Sequence, residues 1–410
     1  MTGVRRRTAL AGARKAAGHT QEGLAAELHV DRSTVIRWEA GDHAPLPHLR
    51  PKLARLLGQS QEQLRKLIDD DSAIRPQSHG QTGTDEIPVV APVDPDEFTR
   101  FSSALASPRR TDAAVVEHLA RVLAEQRRAE DTLGARRLVG PVLAQIQVID
   151  GLIRQARSPV RTAVLEVKAH YEEFAGWMRQ DATDSAGALR HYDAAMDAAQ
   201  EIGDADMITS VLSLKSHLAW ADNDAARAIG LAVAGQSEPQ RVSTAVLALI
   251  AQQEARGHAL DGDAEAAERA LDRSAALTYA AAEHPADAPP WVYFHGPQRL
   301  AFQRGVAYVE LGRHADAVPL LSTALESLPD CYERDQARYA AQLALALAGA
   351  GDADGALVAA TRAAELAAAT GSALATRDLR RVRAVMRERG ADTQAHALAE
   401  HIRALVDELY

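Results

Sequence analysis

The sequence predicts an all-α chain: a small five-helix head, a flexible linker and a long α-solenoid of antiparallel helix pairs. Three observations carry that expectation. Aromatic residues are 4% of the 410 residues whereas apolar residues as a whole are 47%, so the core is made of alanine and aliphatic side chains, which suits closely packed helices and not a β-sandwich. Beyond residue 96 the apolar positions recur with helical period. The breaks in that period fall near Pro159, Gly203, Pro239, Pro285 to Pro290, Pro329 and Gly371, close to the regular spacing of an internal repeat.

Composition excludes several classes. Charged residues are 25% of the chain, an ordinary value for a soluble protein with a sizeable core. The single cysteine, Cys331, forms neither an internal disulfide nor a cysteine zinc site and fits a reducing compartment. The basic start, MTGVRRRTALAGARKAAG, is not followed by an apolar segment of roughly 7 to 15 residues, and no run of about 18 apolar residues occurs. The expectation is a cytoplasmic protein that does not engage a membrane.

The net charge of -10 argues against a nucleic-acid partner until it is divided by region. Residues 1 to 68 hold twelve Lys and Arg against six Asp and Glu, a balance of +6, and the rest hold 34 against 50, a balance of -16. A basic end on an acidic body is the charge asymmetry of a DNA-binding head.

Within that basic end, residues 8 to 67 read as five short helices. The first runs from about Thr8 to Ala17 and stops at Gly18. The second follows Thr20 as N-cap and places Leu24, Ala25 and Leu28 on one face. Asp31 caps a third helix, Arg32 to Ala40, closed by Gly41. After a loop over Ala44 to Pro47, two more helices are expected at about His48 to Leu57 and Gln61 to Ile68. Residues 69 to 96 hold four prolines and little periodicity, which reads as a flexible linker. The domain organisation is therefore a head over 1–68, a linker over 69–96 and a helical array over 97–410.

In the array, RLAFQRGVAYVELGRHADAVPLLSTALESLP resembles the tetratricopeptide repeat, with Gly305, Tyr308, Gly312, Ala317, Leu321, Ala324 and Pro329 at its signature positions. Other segments align on the same helix-turn-helix corner at Asp184, Asp224, Asp263, Arg313, Asp352 and Asp392, separated by 40, 39, 50, 39 and 40 residues. A small residue recurs four positions later as Ala188, Ala228, Ala267, Ala317 and Ala356. Antiparallel helices cross tightly only over such side chains, and each pair then needs a neighbour to cover its second face. His396 stands where the last unit should have alanine, as expected of a terminal cap. Residues 97 to 158 have helical period but no convincing repeat corner.

Residues 21 to 40, QEGLAAELHVDRSTVIRWEA, resemble the helix-turn-helix of the lambda-type phage-repressor (XRE-like) family, a likeness that extends to about 60 residues with Arg14 and the Pro45-x-Pro47 loop. Gln21, Leu24, Ala25, Val30, Val35, Trp38, Glu39 and Gly41 sit where that family's pattern has them; His29 departs from the usual turn glycine. The resemblance implies that the third helix enters the major groove of a double-stranded DNA operator, with Arg32, Ser33 and Arg37 facing base edges and Thr34 near the backbone or an adjacent base. It also implies that Gln21 meets a phosphate at the helix N-terminus, with Arg5, Arg6, Arg7 and Lys15 adding charge neutralisation. Trp38 is expected in the core.

Groove positions carried over from the tetratricopeptide resemblance are Glu173, Trp177, Gln180, Ser213, His217, Trp220, Gln252, Arg256 and Arg299, a set able to hold a ligand through amide pairing, charge and aromatic contact. For Trp177 and Trp220, packing between helices is the alternative. Within PADAPPWVYFHGP, Pro289, Pro290, Trp291, Tyr293 and Phe294 form a lid, a dimer contact or a packed long loop. No Walker loop, HExxH, GxSxG or dinucleotide fingerprint occurs, Cys331 lacks a partner motif, and the fifteen histidines have no metal-ligand spacing. No catalytic role, cofactor or metal is expected.

The layout as a whole resembles actinobacterial XRE-type regulators with a C-terminal repeat domain. It implies a sequence-specific transcriptional regulator, acting as a homodimer, whose repeat domain dimerises and senses a peptide, small molecule or protein. The alternative is a tetratricopeptide interaction adaptor whose head does not read DNA.

Overall fold

A computed structural model describes residues 8–28, 32–40, 50–59, 64, 113–292, 294–329 and 332–408. His29, Asp31, Gly41, the Pro45-x-Pro47 loop, the 69–96 linker, most of the 61–68 helix, Tyr293 and Cys331 lie outside them. The described residues are all-α, with no strand, and none of their helices is long and apolar enough to cross a membrane. The chain divides into two compact units, Met1–Val89 and Val90–Tyr410.

In the first unit α1 is Thr8–Ala16, α2 Gln21–Leu28, α3 Arg32–Ala40 and α4 Arg50–Leu56. The Thr20 hydroxyl accepts from the Gly23 N–H at 2.9 Å, which caps α2 as its sequence predicts. One apolar cluster joins Leu10, Leu24, Ala25, Leu28, Val35, Trp38, Leu53, Leu57 and Leu64. Trp38 is thus a packing residue, and Leu64 ties the chain beyond α4 to the same core.

In the second unit a helix pair, α5 (Ala113–Leu133) and α6 (Ala135–Ile153), precedes six more. These are α7 (Val160–Asp181) with α8 (Ser185–Ile202), α9 (Ala205–Ala221) with α10 (Ala225–Ala234), and α11 (Thr244–Asp261) with α12 (Ala264–Glu283). They continue as α13 (Leu300–Glu310) with α14 (His314–Glu326), α15 (Glu333–Ala350) with α16 (Ala353–Thr370), and α17 (Ala373–Glu388) with α18 (Asp392–Glu408).

The repeat corner has one geometry throughout. The backbone N–H of Asp184, Asp224, Asp263, Arg313 and Asp352 donates to the carbonyl five residues earlier at 2.8 to 3.0 Å. Each of the four aspartates then accepts from the N–H three residues later at 2.8 to 3.0 Å, a side-chain cap for the second helix. Arg313 supplies no cap and instead lays its guanidinium 4.0 Å over the Tyr308 ring. Ala188, Ala228, Ala267, Ala317 and Ala356 are completely buried where the two helices touch. At Gly305 the same crowding excludes even a methyl group, since a Cβ there would sit 2.7 Å from Leu321 Cγ.

The last corner lies one residue earlier than the sequence alignment has it. Ala391, not Asp392, makes the corner bond, to Met386 O at 2.8 Å. Ala395 is the buried alanine, and His396 is exposed. Asp392 imitates the capping aspartate of the other units while occupying the first turn of α18.

Residues 113–153 also form a helix pair, turning at Gly134, which has a φ of 76°. Because α5 packs against both α7 and α15, the array curls back on its own beginning. Glu130, near the end of α5, pairs with Arg334 of α15, 204 residues away. The Gly134 turn abuts the Thr370 carbonyl at the end of α16, where a Cβ would come within 2.2 Å of the oxygen.

Candidate functional site

Each unit presents a candidate site. In the head, the Arg14 side chain, 6% exposed, clamps α1 to α3. Its Nε donates to Glu39 Oε1 at 2.5 Å, Nη2 to Oε2 at 3.3 Å and Nη1 to the His19 carbonyl at 2.7 Å. A fork-to-fork pair of this kind fixes orientation as well as distance. Gln21 Nε2 donates to the same carboxylate at 2.7 Å. The residue expected at a phosphate therefore has one amide proton engaged within the head, which fixes the N-terminus of α2 against α3.

Along α3, Val35 and Trp38 are buried and Arg32 and Ile36 exposed, so the helix turns a defined arc outward. At about 100° per residue, positions 33 and 37 fall on the side opposite Val35 and Trp38. The side chains of Ser33, Thr34 and Arg37 lie outside the described residues. Sequence reasoning did not single out Ile36, whose 40% exposure puts a large apolar group on this arc. Its signal was its place four residues after Arg32.

In the second unit the inner helices enclose a cavity of about 170 Å³, some ten times the space that holds one water. Glu173, Trp177, Ser213, His217, Gln252, Arg256 and Arg299 line it; Gln180 and Trp220 do not. Those two stand behind the wall. The Gln180 amide is 2.6 Å from His217 Nδ1 and 2.7 Å from the Tyr192 hydroxyl. Trp220 stacks on His217 with ring centres 5.3 Å apart and takes the guanidinium groups of Arg256 and Arg377 over its ring at 5.2 and 5.8 Å. Both therefore stand one layer behind the lining residues.

Three further elements contribute to the cavity wall. From α5 come Arg127 and Glu130; from α15 come Arg334, Asp335 and Arg338; and from the loop before α13 come Trp291, Val292, Phe294 and His295. Trp291 Nε1 donates to Ser210 Oγ at 3.2 Å and the indole packs on the His170 ring with centres 4.3 Å apart. The described residues of that loop thus form a packed wall. Of these residues the sequence pattern had pointed only to Trp291 and Phe294. The i, i+4 spacing of Arg334 and Arg338 was the available signal for α15.

Charge in the cavity is mostly paired. Arg127 meets Glu173 at 2.5 Å, Arg299 meets Asp335, and Arg334 meets Glu130. Burial pushes Asp335 up, but Arg299, Arg334 and Arg338 outweigh it and hold the carboxyl below its ordinary value. Burial raises Glu173 against the pull of Arg127. Among the described residues no carboxylate lies at ion-pair distance from Arg256 or Arg338. Arg256 donates only to Gln303 Oε1 at 2.5 Å and Gln253 Oε1 at 3.4 Å, and burial, then Arg338, brings its pKa down to about 9. Arg338 donates to His217 Nε2 at 3.2 Å. A guanidinium has no acceptor, so Nε2 is the accepting atom of this contact. Burial first, and then Arg256, Arg338 and Arg377, keep His217 neutral.

Two further histidines beside this loop bear on acid stability. Burial, then Arg127, lowers His170 to about 3, and burial, then Arg299, lowers His295 to about 4. Below the ordinary value of about 6.5, the unfolded chain takes up protons that the folded chain refuses. The stability these groups give is complete above that pH and falls as pH drops towards their folded values. Each tenfold loss of proton affinity on folding corresponds to about 1.4 kcal/mol, and with a discount for partial exposure the two histidines together should lose roughly 2 to 4 kcal/mol by about pH 5. Glu173 and Asp181, both raised by burial, act in the opposite direction, so the test is a comparison. Urea midpoints between about pH 7 and 5 should fall less for His295→Gln than for the parent protein; parallel pH profiles would refute the assignment.

Comparison with known protein families matches the head. Residues 10–64 match the helix-turn-helix family model, and the chain carries an XRE-type helix-turn-helix domain there, a DNA-binding fold. No curated protein matches the chain. Among solved structures, a crystal structure of BtubC (BKLC) from P. vanneervenii is similar at 19% identity, covering 58% of this chain and 92% of that one, with a TM-score of 0.37. A likeness that weak carries no argument about the helical unit.

Proposed function

We propose that the protein is a sequence-specific, DNA-binding transcriptional regulator that reads its operator with α3 and whose helical unit dimerises and senses an effector in its central cavity. The observation that carries this reading is the outward arc of α3 held by the Arg14–Glu39–Gln21 clamp. A recognition helix discriminates bases only if its orientation is fixed relative to the helix that meets the backbone. Arg32 and Arg37 supply guanidinium forks for guanine edges, and Ile36 supplies an apolar surface suited to a thymine methyl group. As a homodimer the protein would join two half-sites about 34 to 36 Å apart, and the second contact would gain from effective concentration. Glu173, Trp177, Ser213, His217, Gln252, Arg256 and Arg299 form the effector site, with Gln180 and Trp220 orienting His217 and Arg256.

The test is selection of bound duplexes from a random pool with full-length protein, followed by titration of the recovered operator. Arg37→Ala should lose about 1 to 3 kcal/mol of discrimination at one base position while non-specific affinity changes little. A bound pool without a common motif, or affinity for duplex that does not fall with salt, would instead favour a protein-interaction adaptor.

A further inference from the structure

We propose that the cavity of the helical unit binds a small organic anion, its charged head held by Arg256 and Arg338 and its apolar body seated against Trp177, Leu214, Leu249 and Trp291. This deepens the sensor reading of that unit, on which it rests, by giving its effector a chemical class.

The argument begins with a charge balance. Five arginines line the cavity against three carboxylates, Glu130, Glu173 and Asp335. Each carboxylate is taken by an arginine of its own, respectively Arg334, Arg127 and Arg299. Arg256 and Arg338 are left over. Arg256 is buried and Arg338 half-buried, and a cation held away from water without an anion is unfavourable relative to a paired one. Carboxylates outside ion-pair distance soften this, Asp378, Asp335 and Asp181 acting on Arg338 and Glu310 and Asp378 on Arg256. Asp378 accepts from Gln342 at 2.7 Å, and Glu310 is held by Arg381 at 2.9 and 3.1 Å.

Two orphaned atoms refine the ligand. Arg256 is 3% exposed and Gln252 is 4% exposed; Arg256 Nε finds no acceptor and Gln252 Oε1 no donor. The site suits a fork-shaped anion, because guanidinium groups hold carboxylate or phosphate oxygens in pairs. Its size limits the rest. About 170 Å³ accommodates a compact organic molecule and not an extended peptide of several residues, while the leucine and tryptophan walls favour a hydrocarbon or aromatic body over a bare inorganic ion. Trp220 beneath Arg256 and His217 beneath Arg338 hold the two guanidinium groups in place before a ligand arrives.

The experiment uses full-length protein without DNA. Phenylacetate, hexanoate, phenyl phosphate, inorganic phosphate and the neutral phenylacetamide are each added at about 10 mM, a level at which even millimolar affinity stabilises measurably. Thermal midpoint and tryptophan fluorescence are read, since Trp177 and Trp291 face the cavity. At least one organic anion should raise the midpoint and quench fluorescence saturably, whereas phenylacetamide and inorganic phosphate should do neither. The two carboxylates against phenyl phosphate then identify the head group. Arg256→Gln and Arg338→Gln should each weaken that binding by roughly tenfold or more.

A second measurement needs no ligand. Arg256→Met removes an unpaired buried charge, so its ligand-free midpoint should equal or exceed that of the parent. No response to any organic anion, an equal response to phenylacetamide, or a marked loss of midpoint in Arg256→Met would each overturn the proposal. Failure of the regulator reading would appear separately, as DNA selection without a motif while anion binding persists.

Discussion

Glu39→Ala is expected to unfold the head and abolish DNA binding while the helical unit stays folded. The carboxylate satisfies both Nε and Nη2 of Arg14 and the amide of Gln21, so its loss strands a buried guanidinium and a half-buried amide together. Removing one partner of such a pair is unfavourable by about 3 to 5 kcal/mol. A domain of some 60 residues has only about 3 to 9 kcal/mol to lose. Amide exchange resolved along the sequence should show protection collapsing over 8–57 and unchanged over 160–400. If the double substitution Arg14→Met, Glu39→Leu recovers most of that protection, the damage comes from the uncompensated charge. If Glu39→Ala leaves exchange in the head unaltered, the clamp is not what holds α1 against α3.

Gly134→Ala is expected to be among the most destabilising single-methyl changes in the helical unit. The residue has a φ of 76°, and its Cβ would stand 2.2 Å from the Thr370 carbonyl oxygen. With a ψ of 162° this is backbone populated essentially by glycine alone, which adds roughly 1 to 3 kcal/mol for alanine, and an overlap with main chain that cannot rotate away adds roughly 1 to 3 more. Gly203→Ala is the control, because its φ of 72° is similar and its Cβ would meet nothing within 4 Å. Urea unfolding should show Gly134→Ala to be worse than Gly203→Ala by about 1 to 3 kcal/mol, a difference that combines the closing contact with the glycine-only ψ of 162° at Gly134 against a left-handed ψ of 26° at Gly203. Equal losses would mean that the turn at Gly134 is not pressed on α16.

What could be read from the sequence and what could not divide along the distance over which each feature is decided. The repeat corners were legible because their determinants are local: a left-handed residue, a capping aspartate and an alanine four positions on act within one turn of chain. The single slip, at Asp392, arose where an alanine holds the capping position and an aspartate follows it. The α2–α3 core was legible for the same reason, and the exposure of Ile36 follows from the register that buries Val35 and Trp38. The cavity was only half legible. Glu173, His217, Gln252 and Arg256 follow from helix-pair register, but the walls from α5 and α15 depend on the pitch of the whole array. No short-range pattern specifies that residue 130 will meet residue 334. Gln180 and Trp220 share helices with lining residues but contact His217 and Arg256 from behind, a distinction that depends on neighbouring helices and not on local register.

The contact of α5 with α15 also fixes how many helix pairs can lie between them. An open stack of helix pairs tolerates insertion or loss of a unit, since each touches only its neighbours. Here an added pair would carry Arg334 past Glu130 and the end of α16 past Gly134, exchanging two buried contacts for none. The number of pairs between α5 and α15 is therefore closed, as strand count is in a barrel, and duplication of a repeat within that span is barred unless the first helix changes with it.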